Sequence, residues 1–229
     1  SGGHVIPALE VAQALAKRGA RTKVWYAERE STARLLSILT HGATSPTVEI
    51  DPIPMDGASS PLGRLWRCGQ LWTRAQRCFE TFSPDVVVGF GGWVSAPVVL
   101  AACLRPAIGR GRQARGRRIG CVLHEQNVVM GRANRLLSRW VDRVALSFQG
   151  AQEMTGQGSA VLTGLPTRDE IGRPSRVEAA RFFGVNPEDP TLVILGGSQG
   201  ARAINRVMIA MVNLLAPEER QRWQLLHLT

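Results

Sequence analysis

Asp85-Val86-Val87-Val88-Gly89-Phe90-Gly91-Gly92-Trp93-Val94-Ser95-Ala96-Pro97-Val98-Val99-Leu100-Ala101-Ala102-Cys103-Leu104 is the stretch on which the fold turns. From Val86 to Leu104 it carries no charge, which approaches the roughly 20 apolar residues of a membrane-spanning helix. Yet Gly89, Gly91, Gly92, Ser95 and Pro97 interrupt it. It divides better into a buried strand over 85–90, a glycine turn, and a helix from about Ser95. A strand, a glycine turn and a helix in that order form the repeating unit of an α/β protein.

The same alternation extends outward in both directions. Pro7 to Lys17 has a helical pattern, with Leu9, Val11, Ala12, Leu15 and Ala16 on its apolar face and Gly19 as a stop signal. Strands are expected at 22–27 and 48–53, the second near an edge because of Pro52 and Pro54. Helices are expected at 32–39 and 62–82. Beyond the central unit come a strand at 119–123, a helix at 131–139 and strands at 141–148 and 159–163. After a linker-like stretch, 164–174, a helix at 175–183, a strand at 191–195 and a helix at 200–215 follow, and the chain closes on strand-like residues at 224–229. Repeated strand-loop-helix units imply mostly parallel sheets covered on both faces. The linker divides the chain into residues 1–165 and residues 166–229, the start of a second α/β domain.

The 229 residues are 44% hydrophobic and 20% charged, a globular balance that argues against disorder. A net charge of +10 favours anionic partners. Lys17 and Lys23 are the only lysines, so the positive charge is almost all arginine, which suits forked phosphate contacts. Six arginines and no acid fall between Arg105 and Arg118, an exposed basic loop. A nucleic-acid binder would use such charge, but no stacking-aromatic motif accompanies it and Tyr26 is the only tyrosine. Cys68, Cys78, Cys103 and Cys121 show no metal-ligand spacing and read as reduced thiols. No metal and no cofactor is expected.

Three loops could carry chemistry. Ser1-Gly2-Gly3-His4 and Gly196-Gly197-Ser198-Gln199-Gly200 each lead into a helix. There, glycine lets backbone approach a phosphate and the helix start favours the anion. A tight turn alone would also account for each. His4 sits at a positive helix end, which disfavours its protonation and leaves a neutral imidazole able to accept a proton. A histidine bonded to loop backbone is the competing reading. His124-Glu125-Gln126-Asn127 follows an apolar strand, at the carboxyl end where ligands of α/β sheets gather. Glu125 is therefore a second candidate base, or an orienting partner. The helix at 62–82 places Leu62, Leu65, Trp66, Trp72 and Phe79 near one face and Arg64, Arg67, Arg74 and Arg77 on another. A basic tryptophan-bearing helix can lie on an anionic membrane, or pack on the sheet with a solvated arginine face.

Five motifs occur in a telling order: Ser1-Gly2-Gly3-His4-Val5-Ile6-Pro7-Ala8-Leu9, Gly89-Phe90-Gly91-Gly92-Trp93-Val94-Ser95-Ala96-Pro97, His124-Glu125-Gln126-Asn127 with Gly131 and Asn134-Arg135, Thr163-Gly164-Leu165-Pro166-Thr167-Arg168, and Gly196-Gly197-Ser198-Gln199-Gly200-Ala201-Arg202 with Asn205. Together they resemble the MurG family, the peripheral membrane N-acetylglucosaminyltransferases that convert lipid I to lipid II in peptidoglycan synthesis. The resemblance runs along the whole chain. It implies a GT-B fold of two Rossmann-like domains, the second incomplete here. It implies inverting transfer of N-acetylglucosamine from UDP-N-acetylglucosamine to the C4 hydroxyl of the muramoyl sugar of lipid I, at the cytoplasmic face of the cell membrane. Residues 1–165 would be the acceptor and membrane-side domain, and 166–229 the beginning of the UDP-sugar domain.

By motif, the resemblance makes His4 the candidate base, with Glu125 as the alternative. Ser1, Gly2, Gly3, Asn127, Arg168 and Ser198 would contact the donor. His124, Gly92 and Gly197 would support the cleft. Leu65, Trp66, Trp72, Arg67 and Arg74 would meet the membrane. The chain also departs from the family. Ser1 stands where threonine is usual, and Leu165 stands where asparagine is usual. The Arg105–Arg118 segment is longer than the family's turn. The family's first strand and the later residues that read uracil and sugar are absent, so the chain alone is expected to bind donor poorly and catalyse little. Another GT-B enzyme, a glycolipid glycosyltransferase or a UDP-sugar epimerase, would share the glycine loops.

Overall fold

The structure, a computed structural model, describes residues 2–28, 48–54, 60–105, 118–154, 160–168, 171–196 and 201–228. The chain forms two compact units, Ser1–Thr167 and Arg168–Thr229.

The first unit begins with α1 (Gly2–Ala16), which starts well before the expected Pro7. Pro7 lies inside the helix and lacks the N–H that would reach the Gly3 carbonyl. The earlier start puts His4 in the first helical turn. Val5, Leu9, Ala12 and Ala16 bury the inner face of α1 against Val24 and Val48. Those two valines belong to β1 (Thr22–Ala27) and β2 (Val48–Ile53), which pair in parallel. The expected helix at 32–39 lies outside the described residues.

α2 (Pro61–Thr81) starts on Ser60, whose hydroxyl accepts from the Gly63 amide at 3.0 Å, with Pro61 in the first turn. β3 (Val86–Gly89) and α3 (Gly92–Cys103) make up the deciding stretch. At 1.5 Å per residue α3 is about 18 Å long, well short of the roughly 30 Å hydrocarbon core. No described helix is long and apolar enough to cross a membrane. α3 opens earlier than the expected Ser95 because Gly91 (φ 89°) and Gly92 (φ 76°) turn the chain at once. The Ser95 hydroxyl then donates back to the Gly91 carbonyl at 2.8 Å.

β4 (Gly120–Glu125), α4 (Arg132–Leu137), β5 (Arg143–Leu146) and β6 (Ala160–Leu162) follow, with a 3₁₀ turn at Gln149–Met154. β3, β4, β5 and β6 form one sheet in that order, and every pairing is parallel. Val99, Leu123, Val144 and Leu146 are almost fully buried in its core. Burying side chains of this size contributes about 1.5–3 kcal/mol each. Gly89 permits the tightest contact. A Cβ there would lie 2.7 Å from Val99 Cγ2 and 3.0 Å from Leu123 Cδ2, so the missing side chain is what lets α3 settle on β3 and β4. Most of the basic loop, residues 106–117, lies outside the described residues. At its ends Arg105 reaches the Gln76 side chain at 3.2 Å and Arg118 pairs with Asp142.

The second unit holds α5 (Arg176–Phe183), β7 (Thr191–Leu195), α6 (Arg202–Leu214), α7 (Pro217–Gln221) and β8 (Gln224–Leu228). β7 and β8 pair in parallel. α5 opens on a reciprocal cap: the Ser175 hydroxyl accepts from the Glu178 amide at 3.2 Å, and the Glu178 carboxylate accepts from the Ser175 amide at 2.7 Å. It closes on Gly184 in the left-handed region.

Candidate active site

Within the first unit, three segments distant in sequence meet at the carboxyl ends of β3 and β4. These are the first turn of α1, the Phe90-Gly91-Gly92 turn, and the loop from Glu125 into α4. They enclose a pocket of about 170 Å³ lined by His4, Gly91, Glu125, Asn127, Arg132 and Asn134, among others. This is smaller than the roughly 300 Å³ at which pockets begin to enclose whole ligands. It is the size for one reacting group rather than a complete sugar nucleotide.

Glu125 is the last residue of β4 and is 2% exposed. Its Oε1 accepts from the backbone amide and the side-chain amide of Asn127, each at 2.9 Å. Its Oε2 accepts from the Gly131 amide at 2.9 Å and from Asn134 Nδ2 at 3.0 Å. Burial alone would raise the Glu125 pKa, but the amides of Asn127, Gly131 and Asn134 outweigh it and the net shift is downward. The carboxylate is therefore ionised at neutral pH, and its lone pairs are committed to shaping the loop. This is the geometry of an orienting residue. Of the two roles the sequence leaves open for Glu125, base or orienting partner, it supports the second.

His4 is half-buried beside this loop. Burial lowers its pKa and the Glu125 carboxylate acts in the opposite direction. The net shift keeps the imidazole neutral at pH 7 and able to accept a proton. His124 is 3% exposed. Its Nε2 lies 3.4 Å from the Gly164 carbonyl and 3.5 Å from the Ser147 hydroxyl, and its ring centroid is 5.3 Å from that of Phe90. Burial lowers its pKa against the Gly164 carbonyl and Glu125. His124 thus supports the wall of the site from behind. Gln126 donates to the Phe90 carbonyl at 3.0 Å and ties the ends of β3 and β4 together.

The other expected residues fall in several places. Gly2 and Gly3 open α1, Gly92 lines the pocket, and Asn127 is exposed at its rim. Ser1, Gly197 and Ser198 lie outside the described residues. Arg168 is exposed in the second unit. Sequence reasoning gave no role to Gly91 or to Asn134, which is 3% exposed and also donates to the His124 carbonyl at 3.2 Å. The only sequence signal for Asn134 is its fixed place in the motif that starts at His124.

The residues expected at the membrane differ in how they are engaged. Leu62, Leu65 and Trp66 are 81%, 70% and 71% exposed. Trp72 instead packs against the core and Phe79 is buried in it. Arg74 is also engaged elsewhere: its guanidinium lies over the Trp25 ring at 5.0 Å and pairs with Asp51 at 3.7 Å. The apolar arc of α2 is wider than the face the core covers. What stays exposed is its first two turns, with Arg64 and Arg67 beside them.

Residues 1–146 match the glycosyltransferase family 28 N-terminal domain. The chain belongs to that family. Curated relatives include the UDP-N-acetylglucosamine--N-acetylmuramyl-(pentapeptide) pyrophosphoryl-undecaprenol N-acetylglucosamine transferases of Halothermothrix orenii and Moorella thermoacetica. The first is 33% identical over all of this chain and 58% of its own length. The second is 36% identical over 94% of this chain and 55% of its own length. The chain thus spans somewhat over half of these family 28 relatives. Among solved structures, Acinetobacter baumannii MurG superposes with a TM-score of 0.59 at 25% identity, covering 99% of this chain and 65% of that one. A putative UDP-N-acetylglucosamine 2-epimerase from Listeria monocytogenes has a TM-score of 0.57 at 12% identity, covering 98% and 59%. The epimerase shares the fold alone. The fold is GT-B, with parallel α/β sheets as in its glycosyltransferase neighbours.

Proposed function

We propose that this chain carries the acceptor-side catalytic machinery for transfer of N-acetylglucosamine from UDP-N-acetylglucosamine to the C4 hydroxyl of the muramoyl sugar of lipid I. The observation that carries the reading is a neutral His4 in a one-group pocket, in a family 28 chain whose relatives are named for this reaction. In the step, the acceptor hydroxyl gives its proton to the His4 imidazole as its oxygen attacks the anomeric carbon of the donor. The bond from that carbon to UDP breaks, and UDP departs with the electron pair. Glu125 holds Asn127, Gly131 and Asn134 in place and does not take the proton. The Gly91-Gly92 turn presents the start of α3 to the pocket, where its free amides favour developing negative charge.

Residues 1–165 would form the acceptor domain and 166–229 part of the UDP-sugar domain. Ser1, Gly2, Gly3, Asn127, Arg168 and Ser198 are assigned to the donor on motif alone. Peripheral binding to the cytoplasmic membrane face is supported by exposed Leu62, Leu65 and Trp66 with Arg64 and Arg67 beside them. The test is transfer of labelled N-acetylglucosamine to a short-chain lipid I analogue, with diacylglycerol as the rival acceptor. These residues, carried in a full-length family 28 transferase, are compared with the His4→Ala form of the same protein, both verified as folded. Transfer to lipid I that is lost in His4→Ala is expected. Transfer to diacylglycerol instead, or full activity without the imidazole, would overturn the acceptor or the base assignment respectively.

A further inference from the structure

We infer that Gly91 is the positioning residue for the His4 imidazole, which is set against the bare Cα of a residue that cannot carry a side chain. The inference rests on the reading of His4 as the base for its catalytic consequence, but not for its geometry. Gly91 has φ 89° and ψ −176°, a region essentially closed to residues with a Cβ. A Cβ built there would lie 3.2 Å from both Cδ2 and Nε2 of His4, and 3.5 Å from Asn134 Nδ2. These contacts are tight enough that the imidazole must move by a few tenths of an ångström.

The other neighbours cannot give way as easily. Asn134 Nδ2 is anchored to the His124 carbonyl at 3.2 Å and to Glu125 Oε2 at 3.0 Å. The Gly91 peptide is itself held by the Ser95 hydroxyl on its carbonyl at 2.8 Å. Both contacts shorter than 3.4 Å are to His4, so an added Cβ presses on that ring first. Gly92 supplies the contrast. It too has positive φ, 76°, yet a Cβ there would meet nothing within 4 Å. Both glycines meet a conformational demand, and Gly91 alone also meets a steric demand from the imidazole. A glycine that shapes a turn and leaves room for a proton-accepting ring fixes where that ring stands relative to the pocket.

The experiment is a pH titration of the 229-residue chain labelled at histidine ¹³Cε1, in which His4, His41, His124 and His227 are the only signals. In Gly91→Ala the His4 resonance should move and its pKa should rise toward the ordinary 6.5 as the ring is pushed from its partly buried place. His124 should titrate as before, which shows the first unit intact. Gly92→Ala should leave the His4 signal where it was. In the transfer assay Gly91→Ala should lower kcat about ten-fold with little change in KM for the donor, in line with the steep dependence of rate on sub-ångström placement. An unmoved His4 signal in a folded Gly91→Ala protein overturns the inference, as does an equal displacement in Gly92→Ala. If Gly91→Ala does not fold, adding His4→Ala should recover part of the lost stability by removing the collision while the backbone strain stays, and a double variant no more stable than the single one overturns the inference too. Full transfer by His4→Ala would refute the base assignment while leaving the titration result to stand by itself.

Discussion

Replacing Glu125 by glutamine tests whether this carboxylate holds the loop or moves a proton. The carboxylate accepts four N–H groups, two on each oxygen. Glutamine keeps one acceptor oxygen and turns the other into a donor, so two of the four must face an NH₂. The amide will turn its oxygen toward Gly131 and buried Asn134 and its NH₂ toward Asn127, which is exposed and can bond to water. The loss is then about two charge-assisted hydrogen bonds, partly compensated by water and by relief from burying a charge. At roughly 1.5–3 kcal/mol per such bond before compensation, the net cost is about 2 kcal/mol. Urea unfolding at pH 7 should show a lower midpoint with an unchanged slope. Amide exchange at Asn127 and Gly131 should accelerate. The sign with pH follows from the depressed pKa. The stabilisation by Glu125 is fully present above its ordinary 4.5 and is lost as pH falls through its lower folded value. The difference between wild type and Glu125→Gln should therefore be largest at neutral pH and shrink in acid. A variant as stable as wild type, with transfer nonetheless abolished, would refute the structural role and return Glu125 to candidacy as the base.

Gly89→Ala would force a methyl to within 2.7 Å of Val99 and 3.0 Å of Leu123, and should destabilise the first unit by about 1–3 kcal/mol; an unchanged urea midpoint would show that α3 is not seated by that glycine. Because the His4 pKa is held below the ordinary 6.5, kcat/KM for transfer should be level just above that pH and fall only once the pH drops through the lowered value, so an acidic limb centred above 6.5 would exclude His4 as the group observed. Leu65→Ser and Trp66→Ser remove side chains that are 70% and 71% exposed; each should weaken binding to anionic vesicles by about ten- to a hundred-fold, from the roughly 1.5–3 kcal/mol of a fully buried apolar side chain, and leave stability alone. Unaltered vesicle binding would remove this end of α2 from the membrane contact.

The stretch from Asp85 to Leu104 was legible because glycine leaves a local signature. Its apolar run is long enough for a membrane span, but a span has no use for Gly91 and Gly92 side by side. The start of α3 was harder to place, since two left-handed residues redirect the chain in a single step and sequence does not state a φ. α2 shows a different limit. Trp66 and Trp72 are alike in type and lie on one apolar arc, yet one is exposed and the other packs on the core. Periodicity gives the arc, while only the arrangement of the sheet beneath says how much of it is covered. Gly91 and Asn134 were silent for a related reason. Gly91 reads as a turn glycine and Asn134 as an ordinary polar helix residue until α1 brings His4 against one and β4 brings Glu125 against the other.

The choice of base shows what such convergence adds. From sequence, His4 was the candidate base and Glu125 the alternative or an orienting partner, each at a loop where a substrate could bind. Burial is the largest single influence on Glu125 and raises its pKa, but it acts against four hydrogen bonds. Its hydrogen bonds outweigh burial and lower the pKa. A proton placed on this carboxylate would make the same conflict as the glutamine substitution, a donor facing donors, at a similar cost of about 2 kcal/mol. That cost would slow any step routed through Glu125 by about thirty-fold. At His4 the Glu125 carboxylate acts the other way, favouring the charged form of the ring. On the proposed reading, the neutral imidazole accepts the proton with the Glu125 charge in its favour, while Glu125 contributes to the step by staying ionised.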